Sequence, residues 1–192
     1  MEYANRGIFT SRNLSMDYSP KKILIIGGGI AGISLAYFLQ DSKEYKVTVI
    51  EKSTGWRTIG FAVGIWANGL KILKKLNLGN SFWEKTTLTK KGAIMNLKGK
   101  KVFDVPASQI SRSEIARTVD RELLHRAITE QLSENITIRF NTDFIDIKQN
   151  GEKAVVTFNN SEVEEFDLVV GADGMRSKVR ESVFGDFMKP YG

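Results

Sequence analysis

Apolar positions along the chain fall into three patterns, and each predicts a different kind of element. Short, mostly apolar runs occur at 23–26 (ILII, uninterrupted), 47–50 (VTVI) and 166–170 (FDLVV). Their length and β-branched content are those of strands buried on both faces of a parallel sheet. Other stretches repeat every three to four residues and predict helices. Ile30, Ile33, Ser34, Tyr37 and Phe38 share one face of a first helix. Ile65, Leu70, Leu73 and Leu76 line a second over 66–76, with Leu78-Gly79 as its stop and Phe82 and Trp83 packed beneath it. Leu123, Leu124, Ala127, Ile128 and Leu132 line a third over 121–132, with Asp120 as N-cap. The third pattern is loose alternation. It predicts a hairpin of strands near 91–97 and 100–104 around Lys98-Gly99, and a short strand at 115–119. It also predicts an antiparallel meander of strands at 136–140, 144–147 and 154–158, with a further strand beyond 159–161 and a turn at Asn150-Gly151. After the run at 166–170 a last helix ends near 184.

The first apolar run leads into Gly27-Gly28-Gly29-Ile30-Ala31-Gly32, which fits G-x-G-x-x-G between a strand and a helix. In that motif Gly27 permits the tight turn out of the strand. Gly29 has no Cβ, so a pyrophosphate can approach the backbone, and Gly32 lets the helix pack on the strand. Ile30 and Ala31 stand at the helix start, whose free N–H groups and positive dipole end favour phosphate. Glu51 ends the second run, roughly 20 positions past the third glycine, where an acid holds a ribose hydroxyl. Its carboxylate would repel a 2′-phosphate, so the adenosine half expected here is that of FAD or NAD. Lys52 follows directly, and the loop through 60 carries Arg57. Long loops in compact domains are often binding loops.

Composition narrows the chemistry. The 192 residues suffice for one domain with a real core. No cysteine is present, which excludes disulfides, thiolate metal sites and cysteine nucleophiles. The single histidine, His125, excludes multi-histidine metal sites, so no metal is expected. It reads as a packed or surface residue of the third helix. The net charge is +6, but the lysines are scattered and no recognised module accompanies them, so no specific nucleic-acid partner is expected. No apolar run reaches the roughly 18 residues that cross a bilayer, so no transmembrane segment is expected. Residues 1–20 read as a disordered N-terminal extension in which Met16 is a candidate start, and the expected setting is cytoplasmic.

With these residues in hand, the chain resembles the FAD-dependent aromatic monooxygenases, the para-hydroxybenzoate-hydroxylase-like class A flavoproteins. The matching stretches, in the family's order, are Gly27-x-Gly29-x-x-Gly32 with Glu51, and the loop from Trp56-Arg57 through Asn68-Gly69 and Leu73. Val119-Asp120-Arg121-x-Leu123-Leu124 and Gly171-Ala172-Asp173-Gly174-x-x-Ser177-x-Val179-Arg180 follow, the last resembling the family's DG motif. The resemblance implies an α/β, Rossmann-like three-layer FAD/NAD(P)-binding fold with a parallel central sheet and an antiparallel β-meander insertion, over 21–192. It implies that Gly27, Gly29 and Gly32 face the FAD pyrophosphate and that Glu51 holds the adenosine ribose. Arg57 would lie near the flavin or NAD(P)H, Arg121 at the FAD phosphates, and Asp173 and Gly174 would serve FAD and nicotinamide-cofactor binding. The family continues past this length with a second Gly-Asp motif and a substrate-binding sheet, and Gly185-Asp186 follows the DG motif too soon to be that second motif. The expectation is therefore the FAD-binding portion of a flavin-dependent monooxygenase, C-terminally incomplete. In the complete enzyme NAD(P)H would drive hydroxylation of an aromatic or similar small organic substrate. No catalytic side chain is named. The alternative is a non-catalytic nucleotide-binding remnant or interaction module whose apolar faces associate with a missing C-terminal half or with a second copy. An NAD-dependent dehydrogenase leaves the DG motif unexplained.

Overall fold

Strands from the three apolar runs pair side by side in one parallel sheet in the computed structural model, which describes residues 19–56, 61–89, 91–106 and 116–185. In chain order the strands are β1 (Lys21–Ile26), β2 (Tyr45–Ile50), β3 (Ala62–Ile65), β4 (Thr87–Leu88), β5 (Lys91–Met95) and β6 (Lys101–Pro106). They continue with β7 (Arg117–Asp120), β8 (Ile136–Arg139), β9 (Phe144–Asn150), β10 (Lys153–Phe158), β11 (Val163–Phe166) and β12 (Leu168–Gly171). The helices are α1 (Ile30–Leu39), α2 (Ala67–Leu73), α3 (Gly79–Glu84), α4 (Arg121–Thr129) and α5 (Lys178–Phe184).

The parallel sheet has the order β12-β1-β2-β8. Its side chains alternate between two cores, as the pleat requires. Ile23, Ile25, Val47 and Val49 face α1, where Ala36 meets them. Leu24, Ile26 and Ile50 face the antiparallel sheet β11-β10-β9 through Phe144, Val156, Phe158 and Phe166. A third cluster lies beyond α1, where Ile33 packs with Leu73, Leu76, Phe82, Leu124 and Ile128. The result is three layers: meander, parallel sheet, helices. β3, β7 and β4 form a small antiparallel sheet that delivers the chain to α4, and β5 and β6 form a separate hairpin.

Several expectations are corrected. The strand expected at 136–140 is not part of the meander; β8 pairs parallel with β2 and forms the outer strand of the parallel sheet. The run 166–170 is not one strand. Phe166 closes β11, Asp167 turns the chain, and Leu168 opens β12. Asp167 is fixed at that turn, because its N–H donates to the Lys22 carbonyl (2.9 Å) and its carboxylate accepts from the Lys22 N–H (2.7 Å). β12 is an outer strand, and Leu168 is 51% exposed rather than buried. In α1 the buried face is Gly32, Ile33 and Ala36, of which the small Gly32 and Ala36 let the helix approach the sheet, while Phe38 is 45% exposed. The second helix ends earlier than expected. α2 tightens into a 3₁₀ turn over Lys74–Leu76, and Asn77 stops it in the left-handed region (φ 49°), which asparagine tolerates. Gly79 then opens α3 instead of closing α2. The short strand begins at Arg117, and Ile115 lies outside the described residues, as do residues 1–18 of the expected N-terminal extension.

The hairpin at Lys98-Gly99, the turn at Asn150-Gly151 and the Asp120 cap all form as expected. Gly99 and Gly151 take positive φ (74° and 60°), and the Asp120 carboxylate accepts from the Leu123 N–H at 2.9 Å. The meander is tied to the parallel sheet by charge as well as by apolar contact. Arg139, at the end of β8, forms a two-armed pair with Glu164 in β11, its second arm 3.3 Å long, and lies over the Phe158 ring.

The Arg139 guanidinium, by hydrogen bonding, holds the Glu164 carboxyl below the usual carboxylate range. A carboxyl lowered on folding stabilises above its unfolded value, and the contribution is lost as pH falls through the folded value. Glu164→Gln should therefore destabilise the protein by about 0.5–1 kcal/mol at neutral pH, the scale of a partly exposed pair. The gap to the parent protein should close below about pH 4. Urea unfolding at both pH values checks this.

Candidate functional site

Three strands of the parallel sheet end on one line. Ile26 is in register with Ile50 on one side and with Gly171 on the other. One more rung forms beyond them, where Gly27 N–H donates to the Ile50 carbonyl (2.9 Å) and Ala172 N–H to the Ile26 carbonyl (2.8 Å). The chain then leaves the sheet in three loops, and a cleft of about 270 Å³ opens between them. This is the crevice outside the carboxyl ends of the strands, where open α/β sheets bind ligands. Gly27, Gly29, Glu51, Lys52, Arg121, Asp173 and Gly174 all line it, so residues expected from four separate stretches meet in one place.

Each glycine of the first loop answers a different constraint. Gly27 has φ 113°, and a Cβ there would lie 2.5 Å from the Ala172 carbonyl oxygen. Gly32 is buried, and a Cβ there would lie 2.0 Å from the Gly27 carbonyl oxygen. Its lack of a side chain is used in packing α1 beneath the loop. Gly29 differs from both. Its backbone is extended (φ −73°, ψ 175°), and a Cβ would meet nothing within 4 Å. Neither strain nor packing demands glycine there; the open space in front of it faces the cleft. Gly29 is also the N-cap of α1, which has no side-chain cap and no acid in its first turn. The first N–H groups of a helix have no intrahelical partner, so this end suits an anion. Ile30 and Ala31 form its first turn and are not among the residues lining the cleft.

The remaining glycine, Gly28, is held at both ends of its backbone. Its N–H donates to Glu51 Oε2 (3.0 Å), and its carbonyl accepts from His125 Nε2 (2.7 Å). The other carboxylate oxygen of Glu51 accepts from the Ser53 N–H (3.0 Å). Glu51 thus braces the loop while it lines the cleft. Trp56 packs over Gly28 and stands edge-on to His125 and to Phe140, with ring centroids 5.1 and 4.7 Å apart.

Charge converges on the same mouth. Lys52, Arg121, Arg176 and Lys178 line the cleft with Glu51, Asp143 and Asp173. Asp143 pairs with Lys178 at 2.7 Å, and that hydrogen bond pushes the lysine above its ordinary value. Asp173 spends its carboxylate on the protein. It accepts from the Ser177 hydroxyl (2.6 Å) and from the Lys178 and Val179 N–H groups (2.7 and 3.2 Å), fixing the start of α5. Gly174 next to it turns with φ 88°. Arg121 is placed by the helix that Asp120 caps, and its own N–H donates to the Phe61 carbonyl (3.1 Å). Arg57 lies outside the described residues. Sequence reasoning missed Thr142 and Asp143, which sit in a connection without any motif, and the brace formed by His125 and Trp56. Arg176 and Lys178 fall inside the DG stretch, which could have signalled them.

The family described as FAD binding domain matches residues 21–189. An FAD-dependent monooxygenase of Sarocladium schorii is 28% identical over 169 residues, which is 85% of this chain and 39% of that protein. A flavin-dependent monooxygenase of an unknown prokaryotic organism is 32% identical over 168 residues, 85% of this chain and 42% of that protein. Among solved structures, a 2-methyl-3-hydroxypyridine-5-carboxylic acid oxygenase superposes with a TM-score of 0.72 at 27% identity, covering 86% of this chain and 42% of that one. The chain spans less than half the length of each of these relatives.

The two glycines of the helix start should respond to substitution in opposite ways. Gly32→Ala forces a methyl group into backbone and should cost about 3 kcal/mol or more. Gly29→Asp enters open space at an N-cap position that favours aspartate, and should leave stability unchanged or slightly raised. Urea unfolding without ligand separates the two.

Proposed function

The chain belongs to the FAD binding domain family, and from that premise we propose that it is the FAD-binding part of a flavin-dependent monooxygenase, with the ADP half of the cofactor in the cleft at the strand ends. The observation that carries this reading is Gly29: a glycine that the chain itself does not need, at an uncapped helix start, in front of a space a Cβ would fill. A pyrophosphate fits that space, and the N–H groups of the α1 start would donate to it. Arg121 would add a cation beside the phosphates, and Lys52 another at the rim. Glu51 would accept from the adenosine ribose while still bracing Gly28. Asp173 would act by holding Gly174 and the start of α5 in place at the cleft wall.

When bound, FAD supplies the electron transfer and oxygen activation that a monooxygenase needs. The residues of this chain bind and orient it, and we assign none of them as an acid or base. We further propose NAD(P)H as electron donor and an aromatic or similar small organic molecule as substrate of the whole protein, in a cytoplasmic setting. The pyridine-ring substrate in the name of the oxygenase above supports that substrate class. No helix among the described residues is long and apolar enough to cross a membrane. A second reading, association through an apolar face, is favoured by the β5–β6 hairpin, which exposes Ile94, Leu97, Val102 and Phe103. The occupant would be a second copy or the polypeptide that completes the enzyme. Concentration-dependent dimerisation in sizing experiments, lost on Phe103→Lys, would support the first of these.

Titration of the purified chain with FAD, followed by flavin fluorescence, tests the main reading. Saturable binding is expected, abolished in a folded Gly29→Asp variant. In Arg121→Ala it should weaken about tenfold or more, the cost of a charge-assisted hydrogen bond. ADP should compete, whereas ADP carrying a 2′-phosphate should not, because Glu51 repels it. A folded chain that binds no FAD would overturn the reading.

A further inference from the structure

We propose that His125 is a positioning residue of the FAD site: its ring N–H, donated to the Gly28 carbonyl, sets the orientation of the peptide that presents the Gly29 N–H to the pyrophosphate, and it does so from the helix that carries Arg121. This rests on the FAD reading above.

His125 is 5% exposed, and its Nε2 lies 2.7 Å from the Gly28 oxygen, 97 positions away in the chain. A carbonyl can only accept, so Nε2 carries the proton, which selects one tautomer of the neutral ring. The Gly28 carbonyl and the Gly29 N–H belong to the same peptide unit. That unit is planar and trans, so the two groups point to opposite sides. Holding the carbonyl toward α4 therefore holds the Gly29 N–H away from α4, and Gly29 lines the cleft. Glycine on both sides of this bond leaves the peptide little steric reason to keep one orientation. The constraint comes from outside the loop: Glu51 on the Gly28 N–H, His125 on its carbonyl, and Trp56 against its Cα and the His125 ring.

The same helix links the two halves of the phosphate site. Arg121 and His125 are four residues apart on α4 and share one face. Arg121 lines the cleft, and one turn later His125 grips the glycine loop that lines it too. α4 thereby sets the spacing between the cation and the peptide N–H that would meet the same pyrophosphate.

The only histidine in the sequence gives an unambiguous probe. In the full 192-residue chain, the imidazole ¹⁵N–¹H spectrum should show the Nε2–H tautomer with a slowly exchanging, hydrogen-bonded proton, and this signal should shift on saturation with FAD or ADP. His125→Phe keeps a ring of similar size and removes the donor. It should weaken FAD binding about tenfold, the effect of one hydrogen bond. His125→Gln, which keeps an N–H donor at similar reach, should return affinity to within about threefold of the parent chain. A spectrum showing the Nδ1–H tautomer, or a freely exchanging Nε2 proton, overturns the proposal whether or not the variants fold. So does unchanged FAD affinity in a folded His125→Phe variant, or an equal loss in the phenylalanine and glutamine variants, which would mark a packing role only. Failure of the parent chain to bind FAD, with the Nε2 proton still protected, would sink the FAD reading instead and leave His125 as a structural brace.

Discussion

The structure depends on how closely α1 approaches the turn that precedes it. Gly32 lies so near the Gly27 carbonyl that no Cβ can come between them, and Gly27 in turn abuts the Ala172 carbonyl at the end of β12. Two backbone contacts thus join the first strand, the first helix and the last strand at one point. Everything at the strand ends follows from that junction. It fixes where α1 starts and sets the last loop against the first. The cores above and below the sheet, built from Ile, Val, Leu and Phe, supply the burial that keeps the junction closed.

Around the junction the chain spends its polar groups on itself in order to leave backbone groups available. Glu51 and Asp173 are acids that line the cleft, yet each holds backbone N–H groups of its own protein. Buried or partly buried carboxylates satisfied in this way are rigid, and rigidity at the rim lowers the ordering cost of binding. The cations Lys52, Arg121 and Arg176 stand at the same opening and bias it toward an anion. Both acids thus brace the architecture of the cleft, and cations share its rim.

Much of this was legible in the sequence because it is local. Strand, glycine turn and helix at 21–39, the acid at Glu51, the Asp120 cap and the glycine turns at 99 and 151 each depend on a few neighbouring residues. What failed depended on distant partners. A short strand such as Ile136–Arg139 carries the same pattern whether it pairs parallel with β2 or antiparallel in a meander. The aspartate in FDLVV does not by itself signal the break at Asp167, since the turn is set by Lys22 on β1. Phe38 fits the apolar stripe of α1, but Gly32 and Ala36 are what the close helix–sheet approach selects. The grip of His125 on Gly28 joins two segments that share no motif, so the histidine looks inert in the sequence. Asn77 is the local exception: its ability to take a left-handed conformation stops the second helix, in a place where Gly79 looks the stronger signal.

The register of β1 has a consequence for how the protein is made. β1 lies between β2, which follows closely in the chain, and β12, whose residue Leu168 pairs with Ile23. During synthesis one edge of β1 waits until the residues up to Leu168 have emerged, on the order of ten seconds at ordinary elongation rates. Through that interval an isoleucine-rich strand presents an unpaired edge, the surface that chaperones bind and that aggregates use. The cleft at the strand ends closes only when β12 arrives, so the nascent chain acquires it late and not as its first strand and glycine turn leave the ribosome.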